Sequence, residues 1–205
     1  HNERNGFSFP FQPNLTPAAD MAMHPGWMWR VLRKYLVHEG MPTNANYPER
    51  YRFSVIDGKT RVRPKRFVAM TWEHIRKFRD FWPRKLIVKS ILCGDQARPA
   101  LDAGADAVVV SNHGGRAFDS AIATIDILPE VVEAVGARCT VILDSGIRRG
   151  SDVLKALALG AKMVLVGRAT LYGTACGGQA GAARAIRILS EEMERVFGYV
   201  GVRQI

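Results

Sequence analysis

Four short apolar runs, each followed by a polar turn and then a helical pattern, constrain the fold of this chain most. The runs are residues 85–90, 106–112, 139–146 and 162–169. They are apolar at consecutive rather than alternate positions, which is typical of strands buried in a parallel sheet. The pattern predicts an α/β fold with about four βα units. It leaves open whether these form a doubly wound sheet or part of a closed (β/α)₈ barrel.

Helical patterns occupy the segments between and after the runs. The segments 94–104, 125–136 and 149–160 each end in the glycine that commonly follows a helix C-terminus. Ser151 is the predicted N-cap of the third. The segment 182–196 has apolar positions at helical spacing, and we expect it to be the closing helix.

Residues 1–70 do not follow this repeat. Proline-containing and basic segments surround a predicted helix at 24–36, and a second helix, 71–85, precedes the first clear strand. Because this part departs from the βα repeat, we interpret residues 1–70 as a long loop or excursion. Long loops in such folds are often functional. Residues 71–205 then form the α/β domain.

Composition narrows the partners and the compartment. The 205 residues contain 29 Lys and Arg against 19 Asp and Glu, a formal charge of +10, which favours anionic partners. Cys93, Cys139 and Cys176 have no CxxC spacing, so neither a disulfide framework nor a zinc site is predicted, and a reducing cytosol fits best. No apolar run approaches the roughly 20 residues that cross a bilayer.

Polar and charged residues stand where the apolar runs end. The carboxyl ends of parallel strands meet at one rim, where the sites of such folds lie. Cations with glycines suit a phosphate, and a histidine near an arginine suits acid–base work on a carboxylate. The strand-end set is Lys89, Ser111, His113, Arg116, Asp144, Ser145, Gly146, Arg148, Gly167 and Arg168.

Each signal also has a structural interpretation. A Gly-Arg pair after a strand can be a helix cap with a solvated arginine, and Lys89 can extend its charge to solvent from a strand end. A lone histidine is usually structural. His113, however, is followed by Gly114 and Gly115, which allow a sharp turn that brings Arg116 back toward the imidazole.

Four motifs together carry a specific resemblance. LIVKSI, SNHGGRAFD, ILDSGIRRGSDVLKALALGA and VLVGRATLYG are similar, in order and spacing, to the C-terminal half of the FMN-dependent 2-hydroxy-acid dehydrogenase and oxidase family. ERNGF and HPGWMW resemble the family's segment after the fourth barrel strand. The resemblance implies a (β/α)₈ barrel with FMN at its C-terminal mouth.

The resemblance also implies residue roles. Lys89 would contact the flavin N1/O2 region, His113 would be the base, and Arg116 would bind the substrate carboxylate. The other implied FMN-binding residues are Ser111, Asp144, Ser145, Gly146, Ile147, Arg148, Gly167 and Arg168.

The implied activity is oxidation of an (S)-2-hydroxy acid to the 2-oxo acid. DSG at 144–146 and GRATLYG at 167–173 resemble the membrane-associated dehydrogenases of mandelate or lactate more than the oxidases. We therefore expect a quinone or similar electron acceptor, peripheral contact of the excursion with the inner face of the cell membrane, and a homo-oligomer, a tetramer in the family. The alternatives are an oxidase that uses O₂, or an inactive barrel fragment with a basic membrane-binding surface.

The family's first four strands, with the aspartate that hydrogen-bonds the catalytic histidine, are expected before His1. We therefore expect this chain to be a fragment that is inactive alone. Other phosphate-binding barrels would explain VGRA but not HGGR. A membrane-binding module is favoured by the basic, Trp-containing segment 27–34, whereas nucleic acid has only the charge in its favour and is not a predicted partner.

Overall fold

The computed structural model describes residues 15–40, 43, 49, 52 and 70–202. The chain divides into two compact units, His1–Ala69 and Met70–Ile205. The two units are described separately below.

The described part of the first unit is helical. Helix α1 spans Leu15–Met23, and α2 spans Pro25–Trp27, with the proline at its first turn, where a missing N–H is tolerated. Helical backbone continues from α2 to residue 39 through two π-helical stretches, so the helix predicted at 24–36 is present. None of the helices in the described ranges combines the length and apolar character needed to cross a bilayer.

Four parallel strands form the sheet of the second unit. They are β1 (Ile87–Ile91), β2 (Ala107–Val110), β3 (Thr140–Asp144) and β4 (Met163–Leu165), hydrogen-bonded in the order β1-β2-β3-β4. All three neighbouring pairs are parallel, as the apolar runs predict. Sequential order with every strand parallel requires a crossover after each strand, which the helices supply.

Five helices accompany the strands. They are α3 (Trp72–Phe81), α4 (Gly94–Asp102), α5 (Thr124–Val135), α6 (Gly150–Ala158) and α7 (Arg168–Val200). Glycines 104, 136 and 160 follow α4, α5 and α6 at positive φ, so the predicted helix ends are confirmed.

Several predicted boundaries are wrong. The helix predicted at 71–85 ends at Phe81. The fourth run was expected to be a strand through residue 169, but β4 ends at Leu165 and α7 already begins at Arg168. The predicted closing helix 182–196 lies within α7, after a break in helical backbone at Gly177 and Gly178. Ser151 is not the N-cap of α6. The N-cap is Arg149, two residues earlier, and its N–H donates to the Asp152 carboxylate at 2.9 Å.

The sheet separates two apolar layers of different size. On one face, alternate residues of β2 and β3 pack with α4, α5 and α6 into the main core. On the other face, Ala107, Val109 and Ile142 form a small buried cluster. Ile87 and Met163 pair in register with Ala107 and Ile142, yet they are 51% and 54% exposed.

Asp106 fixes the start of the sheet. Its carboxylate accepts hydrogen bonds from the Arg79 guanidinium at 2.8 Å, the Leu86 N–H at 2.8 Å and the Lys85 ammonium at 3.0 Å. The Leu86 N–H, followed by Lys85 and Arg79, holds the pKa of Asp106 well below its usual range. These bonds tie α3 and the entry to β1 to the residue that precedes β2.

The close contact between α6 and α7 depends on Gly150, the first residue of α6. A Cβ at Gly150 would lie 2.5 Å from the Leu189 carbonyl oxygen and 2.5 Å from the Met193 nitrogen, both backbone atoms of α7. Glu192 accepts the Gly150 N–H at 2.8 Å and a hydrogen bond from the Arg149 guanidinium at 2.8 Å. The Glu192 carboxylate therefore holds α7 against the first turn of α6, which directly follows the loop after β3.

We predict that Gly150→Ala destabilises this unit, because backbone atoms cannot move aside as a flexible side chain can. The expected loss in the free energy of unfolding is about 1–3 kcal/mol, measured by urea denaturation. Gly198→Ala in α7 is the matched control, since a Cβ there meets no atom within 4 Å. It should be neutral or stabilise by up to about 1 kcal/mol; equal effects of the two variants would contradict the close-approach argument.

Candidate active site

Side chains from three neighbouring strands are joined by one set of hydrogen bonds at the carboxyl-terminal side of the sheet. The Lys89 ammonium on β1 donates to the Asp144 carboxylate on β3 at 2.7 Å and to the Ser111 hydroxyl at 2.7 Å. The Ser111 hydroxyl donates to Asp144 at 2.6 Å. Ser111 follows β2 directly and is fully buried. Lys89 was expected to end the first strand, but it is the middle residue of β1, which continues to Ile91. Its charge has a carboxylate partner.

Asp144 is ionised in this arrangement. Its burial would raise the pKa of its carboxyl, but the hydrogen bonds from Lys89 and Ser111 outweigh the burial and hold the pKa below the usual value. A buried negative charge is tolerated only when it is paired and hydrogen-bonded. Asp144 thus remains the acceptor for both neighbours near neutral pH.

The residues after Ser111 turn sharply. Residues 113–115 form a 3₁₀ turn, and the Asn112 side-chain oxygen accepts the N–H groups of Gly114 at 3.0 Å and Gly115 at 3.2 Å. Gly114 and Gly115 have φ of 71° and 74°, so the predicted glycine turn is confirmed. His113 itself has φ of 56°, in the left-handed region.

Gly114 joins this turn to the loops after β3 and β4. Its N–H donates to the Ser145 hydroxyl at 2.9 Å, and its carbonyl accepts a hydrogen bond from the Arg168 guanidinium at 2.9 Å. A Cβ at this position would lie 2.8 Å from the Arg168 Nη2 atom. The Arg168 guanidinium is the mobile end of a side chain and could move aside, so it is the positive φ that favours glycine here.

A bulge in β1 brings in a residue that sequence reasoning missed. The register with β2 shifts between Lys89 and Ile91, which leaves Ser90 without a pairing partner in β2. Ser90 has φ of 78°, and its hydroxyl lies 2.8 Å from Nε2 of His113. Nothing in the apolar run KLIVKS signals this bulge, because serine rarely adopts positive φ.

One cleft of about 840 Å³ lies along these strand ends. Every predicted site residue lines it except Ser111, which is buried behind Lys89 and Asp144. The side chain of Ile147 belongs mainly to the core. Sequence reasoning missed Leu171 and Tyr172, which line the cleft because α7 begins at Arg168 and turns them toward it.

The cleft is electropositive. Its lining residues include four cations, Lys89, Arg116, Arg148 and Arg168, and one carboxylate, Asp144. Because Asp144 is already paired with Lys89, the three guanidinium groups dominate the remaining charge. Guanidinium groups bind carboxylate and phosphate with matched geometry, so the cleft suits an anionic ligand.

Comparison with known proteins matches the whole chain. A family model described as FMN-dependent dehydrogenase matches residues 1–205. (S)-Mandelate dehydrogenase from Pseudomonas putida is 37% identical over 201 residues, which cover 98% of this chain and 49% of that protein. L-Lactate oxidase from Nostoc sp. is 48% identical over 137 residues, which cover 67% of this chain and 38% of that protein.

A solved structure resembles the fold as well as the sequence. A crystal structure described as the monotopic membrane protein (S)-mandelate dehydrogenase has a TM-score of 0.83 and 36% identity, covering 98% of this chain and 52% of that chain. The chain thus spans about half the length of this relative. The match decides between the two predicted sheet types: the four βα units are about half of a (β/α)₈ barrel.

Replacing Asp144 with asparagine should destabilise the site by removing the charge that faces Lys89. We expect Asp144→Asn to lower the free energy of unfolding by about 2 kcal/mol at pH 7, since hydrogen bonds to charged groups contribute roughly 1.5–3 kcal/mol. The folded pKa is depressed, so this contribution is complete above the unfolded value of about 4 and is lost as pH falls through the folded pKa.

Urea denaturation of both proteins between pH 7 and pH 3 measures the effect. Asp95→Asn is the matched control, because Asp95 pairs with Arg98 on the surface of α4 and its side chain is 93% exposed. It should change stability by less than about 1 kcal/mol. A difference between wild type and Asp144→Asn that stays constant down to pH 3 would contradict the charge-based account.

Proposed function

The chain belongs to the FMN-dependent dehydrogenase family, and we propose that the protein containing it oxidises an (S)-2-hydroxy acid of the mandelate or lactate type to the 2-oxo acid. The observation that carries the proposal is that His113 and Arg116 line the same cleft. An imidazole and a guanidinium in one electropositive cleft supply a base and a carboxylate anchor. The names of the relatives, which act on mandelate or lactate, support this substrate class.

The cleft fits FMN in chemistry and in space. Cβ atoms at Gly146 and Gly167 would meet no atom within 4 Å, so the backbone at these two positions borders open space. Arg148 and Arg168 line the same cleft as these glycines, and α7 begins at Arg168. A helix N-terminus with two arginines and open glycine backbone suits a phosphate group, so these residues would hold the FMN phosphate.

Lys89 and Asp144 would serve the rest of the cofactor. Lys89 is partly exposed while it donates to Asp144 and Ser111, so its ammonium has one donor left for a third partner. A cation at this place would offset negative charge on the flavin ring. Asp144 has acceptor capacity left for hydroxyl groups of the ribityl chain.

When bound, FMN would accept the two electrons of the oxidation together with the second hydrogen that the substrate loses. Arg116 binds the substrate carboxylate and thereby fixes the orientation of the 2-hydroxy carbon. His113 removes a proton from the substrate, and its turn, held by Asn112 and Ser145, keeps the imidazole at the rim of the cleft. The arginines exclude neutral competitors, because only an anion compensates their charge.

We predict that (S)-mandelate or L-lactate bleaches the flavin absorbance of the FMN-loaded protein, and that His113→Ala slows this bleaching by about 10²–10⁴-fold, the usual contribution of a general base. The measurement is stopped-flow absorbance at the flavin band. FMN content should stay unchanged, because His113 is proposed to act on substrate. His74→Ala, on α3 outside the cleft lining, is the control and should bleach at the wild-type rate. An active His113→Ala variant would contradict the assignment.

A membrane-contact role for the first unit is a second proposal, and its exposed aromatic residues favour it. Trp27 and Trp29 are 48% and 67% exposed, and Leu36 and Val37 are also exposed. The Arg33 guanidinium lies 4.5 Å from the Trp29 ring centroid. Tryptophans beside cations suit the headgroup region of an anionic bilayer, and a quinone acceptor dissolved there would be accessible.

We expect the protein to sediment with anionic phospholipid vesicles at low salt. The double variant Trp27→Ala/Trp29→Ala should bind these vesicles at least about tenfold more weakly. Tyr199→Ala removes another exposed aromatic ring, on α7, and is the matched control. It should bind like wild type. Absence of binding at low salt, or equal loss in both variants, would argue against this surface.

A further inference from the structure

We propose that Ser90 is a positioning residue that holds the imidazole of His113 from the strand side of the site. The inference rests on the proposed role of His113 as the base. It adds Ser90, which lies in the motif LIVKSI but has no role assigned from the sequence. Three observations support it: the bulge in β1, the contact between the two side chains and the backbone conformation of Ser90.

The bulge places the Ser90 side chain where a regular strand would not. Lys89 pairs with Val109 and Ile91 pairs with Val110, so Ser90 is the extra residue in β1. Bulges re-aim a side chain. In a regular strand Ser90 would point away from the face that carries Lys89.

The contact is direct and specific to one ring nitrogen. The Ser90 hydroxyl lies 2.8 Å from Nε2 of His113. Among the described residues, the Ser90 hydroxyl is the hydrogen-bond partner of the His113 ring, and Nδ1 has no partner there. Ser90 is absent from the residues that line the cleft, whereas His113 lines it. The hydroxyl therefore meets the imidazole from behind the cleft surface.

A hydroxyl suits this position chemically. It donates to a bare ring nitrogen and accepts from a protonated one, because serine has one O–H and two lone pairs. When the hydroxyl accepts from the Nε2–H, Nδ1 is the bare nitrogen that can take the substrate proton. The contact between Ser90 and Nε2 is then the same before and after His113 takes that proton.

The backbone shows that the side chain matters at this position. Ser90 has φ of 78°, a conformation that glycine adopts readily and serine adopts with strain. A glycine would satisfy the bulge but supply no hydroxyl. His113 is held separately, since its N–H donates to the Ser111 hydroxyl at 3.2 Å. Ser111 thus fixes the histidine backbone, and Ser90 fixes the ring.

Two substitutions separate the hydroxyl from the strain. Ser90→Ala removes the hydroxyl and keeps the unfavourable φ, whereas Ser90→Gly removes both. In the FMN-loaded protein with (S)-mandelate or L-lactate, we expect both variants to lower kcat by about 10- to 100-fold, the effect of a misplaced reacting group. KM should change less than about twofold, because Arg116 and not Ser90 binds the carboxylate.

The thermal stability of the two variants should differ, because only Ser90→Gly relieves the strained φ. Ser90→Gly should raise Tm while it lowers kcat, and Ser90→Ala should lower kcat without raising Tm. A purely structural role would lower kcat and Tm together. Ser190→Ala is the matched control, because the Ser190 hydroxyl donates to the Ile186 carbonyl within α7. Its kcat should equal that of wild type. Unchanged kcat in both Ser90 variants overturns the proposal.

A second readout does not depend on activity. In ¹⁵N-labelled protein without substrate, Ser90→Ala should shift the ring ¹⁵N resonances of His113, which are assigned by their loss in His113→Ala. The signals of His74 should not move. Unshifted His113 signals overturn the contact whatever the kinetics show. If wild type fails to reduce its flavin but the shift is present, the proposed function fails while the Ser90–His113 contact stands.

Discussion

The site depends on the hydrogen bonds that Ser111 makes at the end of β2. Its buried hydroxyl donates to Asp144, accepts from Lys89 and accepts the N–H of His113. One oxygen therefore joins the ion pair between β1 and β3 to the turn that carries the proposed base. This is possible because parallel strands in sequential order end at the same edge of the sheet. The Asp144 carboxylate compensates the charge of Lys89, and the Ser111 hydroxyl that bonds to both of them also fixes the backbone of His113.

A second set of contacts extends this arrangement to the phosphate end of the cleft. Gly114 lies between the Ser145 hydroxyl and the Arg168 guanidinium, and both hydrogen-bond to its backbone. The turn after β2 is thus held by the loop after β3 and by the start of α7. Residues proposed to bind the cofactor phosphate and residues proposed to act on substrate therefore belong to one connected network. Substitution of Arg168 would remove a hydrogen bond to the carbonyl of Gly114, the residue next to His113.

Much of the fold could be predicted because its signals are local. Consecutive apolar residues gave the four strands, and glycines 104, 136 and 160 marked the helix ends. The errors also have local causes. The apolar run KMVLVGRA continues past Leu165 with residues that a strand and a helix start accept equally, so the boundary at Arg168 was missed. The α6 cap was misplaced to Ser151, because the Glu192 carboxylate that accepts the Gly150 N–H comes from a helix more than forty residues later.

By itself, the sequence determined the parallel α/β architecture, the family and the residue types at the strand ends, since each follows from a short contiguous pattern. The tertiary structure decided which of those residues meet. It made Asp144 the partner of Lys89, moved Ser111 behind the cleft and brought Ser90 to His113. These outcomes depend on strand register and on a positive φ within β1, and both result from packing between neighbouring strands. No pattern of residues along the chain encodes them.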